Sequence, residues 1–192
     1  MPTIGLDSLY YASITEQTNG EESYGDPVRI APAIQVDLQP EYTSESLYAD
    51  DGALITVTEF SGGTLSINTS DLPNEVLIEL LGLRESNEGM IIYSAEDVAP
   101  YVAIGFRSRK ADGSYRYVWL YRTKFAPPPN TYQTKSDTIT FNTPTIEGTL
   151  YKRNKPDVNG KHPYMAVAES SDIATATVIG TWFTEVPEPT FI

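Results

Sequence analysis

Residues able to do acid–base or metal chemistry are few and scattered in this chain. There is a single histidine, His162, and no cysteine, which excludes a site built from several imidazole or thiolate ligands. His162 as a general base would need a nucleophile and an orienting acid that the spacing does not supply. The adjacent acids Glu21-Glu22 and Asp50-Asp51 would point to opposite sides of an extended chain, and the spaced ligands of a calcium loop are missing. We therefore expect no enzyme activity, no cofactor and no metal.

Basic residues concentrate on one predicted β-hairpin. Strand-forming residues 101–110 and 114–125 flank Asp112-Gly113, a dipeptide that favours a two-residue type I′ turn. That turn gives four cross-strand pairs: Ser108–Tyr117, Phe106–Trp119, Ile104–Tyr121 and Val102–Thr123. One face of the hairpin would then be aliphatic and aromatic. The other face would carry Ala103, Gly105, Val118 and Leu120 with a predicted basic interface: Arg107, Arg109, Arg116, Arg122 and Lys124.

Two further sets of side chains invite a binding interpretation. The row Tyr117, Trp119 and Tyr121 would make a sugar-stacking platform if it were exposed, but the predicted aliphatic neighbours favour a place in the core. Two strand faces rich in hydroxyl and amide groups are expected to meet solvent or an aqueous channel. These faces are Thr64/Ser66/Asn68 and Thr138/Thr140/Asn142.

Composition narrows the possible partners. The chain has 192 residues, a formal net charge of −13 and a pI near 4.4. Proteins that bind duplex DNA in general gain affinity from Lys and Arg against phosphates, so this class is not expected. The first residues have neither the basic start nor the apolar core of a signal peptide, and no apolar run approaches the length of a membrane helix. We expect no membrane partner.

The elements that must position these residues are mostly strands. Residues 72–81 have apolar residues at helical spacing, a proline in the first turn and Gly82 after the end, which predicts one short helix of about three turns. Turn dipeptides, among them Gly62-Gly63, separate the strand-like runs. The predicted fold is mainly β, a single-domain antiparallel β-sandwich or barrel over residues 1–192 with that helix on its flank. The predicted strands are residues 28–38, 53–60, 64–69, 90–94, 101–110, 114–125, 138–143, 145–153 and 163–168.

Three segments are predicted to leave this body. Residues 1–26 are polar and turn-rich, and are interpreted as an N-terminal arm. Residues 39–52 are interpreted as a long acidic protruding loop. Residues 169–192 form a C-terminal extension, whose Val186-Pro187-Glu188-Pro189 cannot be an internal strand because proline removes ladder donors.

Several motifs together resemble the major tail proteins of long, non-contractile-tailed bacteriophages. The resemblance runs in order from about residue 4 to residue 161. The motifs are ESLYADDG (45–52), EFSGGT (59–64), YSAEDVAPYVAIGFR (93–107), YRYVWLYR (115–122), YQTK (132–135), TPTIEGT (143–149) and RNKPD (153–157). The segment after residue 168 has no close counterpart.

This resemblance implies a structural subunit of the tail tube. Members of the family form six-membered rings that stack around a tape measure protein, and the resulting tube later conducts double-stranded DNA without specific binding. Tail terminator and initiator proteins are implied as further partners, and the location is the virion tail, assembled in the bacterial cytoplasm. The resemblance assigns ring stacking to the loop residues Glu41, Tyr42, Glu45, Tyr48, Asp50 and Asp51. We expect a net acidic lumen, because a channel that passes DNA should not bind it.

An alternative from a different class is a carbohydrate-binding β-sandwich of a host-recognition device. It would need the aromatic row to be exposed. A related tube protein of a contractile tail or injection machine is a closer alternative.

Overall fold

The computed structural model describes residues 2–17, 21–49, 52–129 and 143–191. Within them the chain is mainly β with antiparallel strands and a short helix, so the predicted fold class is confirmed. The helices are α1 (Asn74–Leu81), α2 (Ala176–Thr181) and a 3-10 turn at Ile173–Thr175. The strands are β1 (Thr3–Glu16), β2 (Glu22–Tyr24), β3 (Val28–Arg29), β4 (Ala33–Ala49), β5 (Gly52–Thr69), β6 (Arg84–Glu85), β7 (Ile91–Ile92), β8 (Tyr101–Lys110), β9 (Tyr115–Phe125), β10 (Thr145–Tyr151) and β11 (Met165–Glu169).

Among the described residues, nine strands form one antiparallel sheet. Its order is β2-β1-β8-β9-β10-β5-β4, with β3 also paired to β1 and β11 also paired to β9. The beginning of β4 contacts β1, although β8, β9, β10 and β5 stand between them in this order. The sheet therefore bends round on itself, and its concave side holds the larger hydrophobic core. The predicted strand at residues 138–143 falls almost entirely outside the described residues.

The larger core, which we call the inner core, joins the two halves of the bent sheet. Ile104 and Leu120 face Leu65 and Leu150 there, and all four are almost completely buried. Helix α1 adds its apolar side through Val76, Leu80 and Leu81. Burying aliphatic side chains of this size contributes about 1.5–3 kcal/mol each, so this core is the main source of stability.

A second, smaller core lies on the convex side of β1, β8 and β9. It contains Trp119, Tyr121 and Ala103, and the C-terminal residues Trp182 and Val186 cover it. These strands are thus buried on both faces. We call residues 170–191 the C-terminal cover, because they close this second core.

The β8–β9 hairpin does not have the predicted two-residue turn. Lys110 N donates to Ser114 O at 2.8 Å, so three residues, 111–113, form the loop. Gly113 has a φ of +85°, and Ser8 is the one non-glycine residue with positive φ in the described part of the chain, so Asp112 does not fit a type I′ turn. Its carboxylate instead accepts from the backbone N–H of Ser114 at 2.9 Å.

The extra loop residue shifts the strand pairing by one and changes which side chains share a face. Ile104 pairs with Leu120, and Phe106 pairs with Val118. A one-residue shift moves alternate side chains to the opposite face, so the aliphatic and aromatic rows that were predicted to lie together face different cores. A bulge in β9 then restores the predicted register at two pairs, Val102 with Thr123 and Tyr101 with Lys124.

The N-terminal segment is not an arm, and that prediction is wrong. β1 pairs with β8 along most of its length and lies inside the sheet. Leu9 and Tyr11 belong to the inner core, whereas Ala12 belongs to the second core. The apolar residues are too few to mark a strand by themselves, but pairing with β8 satisfies their backbone groups and buries both faces.

Helix α1 occupies the predicted place but has eight residues rather than about three turns. Pro73 precedes its first residue, and Gly82 ends it with a φ of +66°. A Cβ at position 82 would lie 2.6 Å from the carbonyl oxygen of Val98. Glycine is therefore required both for the positive φ and for this close approach. Within the described residues no helix has the length and apolarity to cross a membrane.

Candidate assembly surfaces

The predicted acidic loop at residues 39–52 is the outer part of a long strand pair. β4 and β5 remain partners from Ala33↔Thr69 out to Ala49↔Gly52, so the loop prediction is wrong as to conformation. Side chains are exposed at residues 41–47 and at 55–59, on both faces of the pair. Alternating Ser, Thr, Val and Ile suit a paired ribbon. We call residues 41–49 and 52–60 the arm.

Three of the six residues assigned to ring stacking can be placed on this arm. Glu41, Tyr42 and Glu45 lie on β4 with exposed side chains. The side chain of Tyr48 and the whole of residues 50–51 lie outside the described part of the chain. The role of all six residues in ring stacking stays a prediction.

The two faces of the arm differ in chemistry. On one face, Ser44 and Thr58 hydroxyls lie 3.1 Å apart, and Ser46 and Thr56 hydroxyls lie 2.9 Å apart. On this face, which we call the hydroxyl face, the side-chain hydroxyls form hydrogen bonds with one another. The other face, which we call the apolar–acidic face, presents side chains that the described structure leaves open: Thr43, Glu45, Leu47, Ile55, Val57 and Glu59.

An aromatic contact fixes the base of the arm to the body. The Phe60 and Tyr164 rings stack at 4.2 Å and nearly parallel, and the hydroxyls of Tyr42 and Tyr164 are 2.8 Å apart. This hydrogen bond is the main reason that the pKa of Tyr164 rises to about 12. Gly62-Gly63, predicted as a turn, lies instead within β5, where a Cβ on Gly63 would be 2.8 Å from the Gln39 carbonyl oxygen.

The five basic residues predicted to share one hairpin face are divided between both faces. Arg116 lines a groove on the concave side with Phe106 and Val118. On the convex side the Arg107 guanidinium lies 4.4 Å from the centre of the Tyr115 ring. The remaining members, Arg109, Arg122 and Lys124, also lie on the convex side of the hairpin. The prediction of a single basic face is wrong, because it depended on the two-residue turn.

Arg107 and Arg116 are engaged within the subunit. Arg107 binds the Asp7 carboxylate in a bidentate pair at 2.7 and 3.0 Å, and this hydrogen bonding lowers the pKa of Asp7. Arg116 pairs with Glu169 at 2.7 Å. Lys110 is the larger cause, and Arg116 the next, of the lowered pKa of Glu169. These two arginines hold β1 and β11 against the hairpin.

Arg122 is also engaged, and it is almost buried. It pairs with Glu16 at 2.5 Å and with the buried Glu22. Its guanidinium lies 3.7 Å from the centre of the Tyr101 ring. A buried charge of this kind is strongly tied to its partners, so Arg122 positions β2 rather than offering a surface to another molecule.

The predicted hydroxyl-rich face of β5 lies on the outside of the bent sheet. Leu65 and Ile67 point into the inner core, whereas Thr64, Ser66 and Asn68 point away from it. Flanking strands extend this face with Gln35, Asp37 and Gln39 on β4 and with Thr145, Glu147 and Thr149 on β10. We call it the polar face. The second predicted hydroxyl face, Thr138/Thr140/Asn142, lies outside the described residues.

The polar face is acidic. Asp37, Ser66 and Glu147 stand side by side across three strands. An open trough of about 510 Å³ runs beside them, with Lys124 at its margin. Two carboxylates against one ammonium group give this face a net negative charge.

The aromatic row is buried, as the sequence predicts. Trp119 is 0% exposed and Tyr121 is 1% exposed. Trp119 Nε1 donates to the Trp182 carbonyl oxygen at 2.8 Å, and the Tyr121 hydroxyl donates to the Pro187 carbonyl oxygen at 2.8 Å. The C-terminal cover, predicted to be an extension, thus excludes this row from any ligand. Its proline-rich segment is not a strand, as expected.

His162 makes a hydrogen bond to the backbone. Nδ1 of His162 lies 3.0 Å from the Arg153 carbonyl oxygen, to which it donates a hydrogen bond. The described residues contain no group of three or more side chains able to hold a metal ion.

No protein-family model matches the chain. A comparison with curated proteins also finds no match.

Proposed function

We propose that this chain is the tube subunit of a long, non-contractile bacteriophage tail, which assembles into stacked, six-membered rings around a central channel. The observation that carries the proposal is the arm. An isolated two-stranded ribbon is at best marginally stable in water, yet this ribbon extends from the body with both faces exposed over residues 41–47 and 55–59. Contact with a neighbouring subunit would stabilise it.

The sheet edge supports the same proposal. β4 ends the sheet order, and its outer edge has no hydrogen-bonded strand partner in the described part of the chain. An open edge of this length invites pairing with another chain unless it is covered. Side-by-side packing of sheets in a closed ring would cover it.

The polar face supplies a channel lining. Asp37 and Glu147 repel a polyanion, and the hydroxyls of Thr64, Ser66 and Thr149 stay hydrated without binding it strongly. On this proposal the face surrounds the tape measure protein during assembly and DNA during delivery. The tail terminator and initiator proteins would contact the end rings, and the tube would belong to the virion after assembly in the bacterial cytoplasm.

Electron microscopy of the purified chain, beside light scattering across a concentration series, tests the proposal. We expect rings or hollow tubes with a central bore. If the chain stays monomeric both alone and when it is co-expressed with a tape measure protein and an initiator, the proposal is refuted. Glycan binding by that monomer would favour the carbohydrate-binding alternative, although the buried row Tyr117/Trp119/Tyr121 could not be its platform.

A further inference from the structure

The apolar–acidic face of the arm exposes side chains that normally avoid water. Leu47 is 60% exposed, Ile55 is 54% exposed and Val57 is 52% exposed. Leu47 and Ile55 are directly paired across the strands, and Val57 is the next residue on the same face. A continuous aliphatic strip on a narrow ribbon is typical of a surface that another molecule covers.

The hydroxyl face of the same ribbon does not need to be covered by another molecule. Ser44 bonds to Thr58, and Ser46 bonds to Thr56, while the outer sides of these hydroxyls remain open to water. The pairing register places these four residues on the side opposite Leu47. Therefore only the apolar–acidic face of the arm would gain free energy when a contact excludes water from it.

Charge limits what can cover the apolar–acidic face. Glu45 and Glu59 border the strip, and the chain has nine carboxylates but no lysine or arginine between Arg29 and Arg84. Two arms packed through this face would bring like charges together. A pairing of arm with arm is therefore disfavoured.

The body of the chain carries all of the cations. Every lysine and arginine lies outside the stretch between Arg29 and Arg84. Arg109 and Lys152 are exposed, and within the described residues no ion pair engages either of them. A second copy of this chain thus offers cations where the arm offers carboxylates.

We propose that the apolar–acidic face of the arm docks on the body of a second copy, in a head-to-tail contact, while the hydroxyl face stays hydrated. Leu47, Ile55 and Val57 form the dry centre of the contact, and Glu45 and Glu59 lie at its polar rim. This inference rests on the proposed self-assembly, and it specifies which face of the arm is used and that the partner's body, not its arm, receives it. Head-to-tail contacts generate rings or filaments rather than closed pairs.

Two double variants of adjacent residues provide a matched test. Ile55→Thr/Val57→Thr makes the apolar face polar but keeps the β-branched shape, whereas Thr56→Val/Thr58→Val makes the reverse change on the hydroxyl face. We expect the first variant to raise the concentration needed for assembly by about tenfold or more, since two buried aliphatic contacts are lost. We expect less than about a threefold change in the second variant. Sedimentation measures assembly, and circular dichroism checks that both variants are folded.

Equal effects of the two variants, or a larger effect on the hydroxyl face, would overturn the inference. If tubes assemble normally from Ile55→Thr/Val57→Thr, the tube proposal stands and this inference fails. If oligomers form that depend on residues 55 and 57 but never become tubes, this inference stands and the tube proposal fails. A wild-type chain that stays monomeric at every concentration tested, both alone and when co-expressed with a tape measure protein and an initiator, would overturn docking on a second copy together with the tube proposal.

A cross-linking experiment identifies the receiving surface. Because the chain has no cysteine, Val57→Cys gives a single site for a short photo-cross-linker. We expect peptides from the body of another copy, close to the exposed cations, in the cross-linked product. Cross-links that join Val57→Cys to residues 41–59 of another copy would overturn the head-to-tail contact.

Discussion

Replacing Trp182 by alanine should destabilise the subunit strongly, because this side chain closes the second core. Trp182 is 3% exposed, and its ring meets the Tyr117 ring edge-on at 5.9 Å between centres. Its backbone carbonyl also accepts the hydrogen bond from Trp119. Loss of the side chain leaves a cavity beside Tyr117, in a part of the second core that Val186 and Phe183 also help to cover.

The expected loss for Trp182→Ala is about 3–5 kcal/mol of unfolding free energy, the usual cost of removing a buried tryptophan. A typical domain has only about 5–15 kcal/mol in total. With a urea slope of about 1–3 kcal/mol/M, the unfolding midpoint should fall by about 1–5 M. The C-terminal cover would then be a part of the fold and not a free extension.

Urea unfolding followed by far-UV circular dichroism and by fluorescence provides the assay. In Trp182→Ala the remaining tryptophan, Trp119, reports directly on the second core, and its emission should move to longer wavelength. Trp182→Phe is a close control, because it keeps an aromatic ring and removes an indole N–H that has no hydrogen-bond partner in the described structure. It should change stability by less than about 1.5 kcal/mol. A loss below about 1 kcal/mol for Trp182→Ala would refute the packing of this cover in solution.

Three further measurements test the fold. Gly105→Ala should cost about 1–3 kcal/mol in thermal or urea unfolding, because its Cβ would lie 2.6 Å from the Trp119 ring. Gly180→Ala, in α2 with open space around the new methyl group, should instead gain about 0.5–1 kcal/mol, and a loss would contradict that helix. Stability should also fall as the pH rises from about 10 to 12. Burial raises the pKa of Tyr121 to about 12, and a hydrogen bond to Tyr42 raises the pKa of Tyr164 to about 12. In the unfolded chain both tyrosines lose their protons near pH 10, so the folded state loses its advantage above that pH. Urea midpoints at pH 9 and 11.5 measure this, and a flat profile would contradict it.

Local sequence signals predicted several elements correctly because their causes are local. Gly82 ends α1 since a left-handed residue is needed there, and Pro73 precedes its first turn. Alternating apolar residues identified β8 and β9. In each case the deciding contacts lie within a few residues of the signal.

The turn at residues 111–113 shows how a small local ambiguity spreads. Asp112-Gly113 suits either a two-residue turn or a three-residue loop in which only the glycine has positive φ. The choice shifts the register by one residue and sends the Arg107 and Arg116 side chains to different faces. For this reason Arg116 leaves the predicted basic face, whereas the other four members share the convex side.

Composition and local pattern were enough to predict an acidic, mainly β chain with a short helix and one hydroxyl-rich strand face. Only the tertiary structure decided that residues 3–16 form an internal strand, that residues 170–191 cover a second core, and that the acidic segment is a paired ribbon. Those outcomes depend on partners far away in sequence, such as the contact of Trp119 with Trp182. Whether a polar or weakly apolar segment becomes ordered depends on the surface that it meets, and that surface exists only once the sheet has formed.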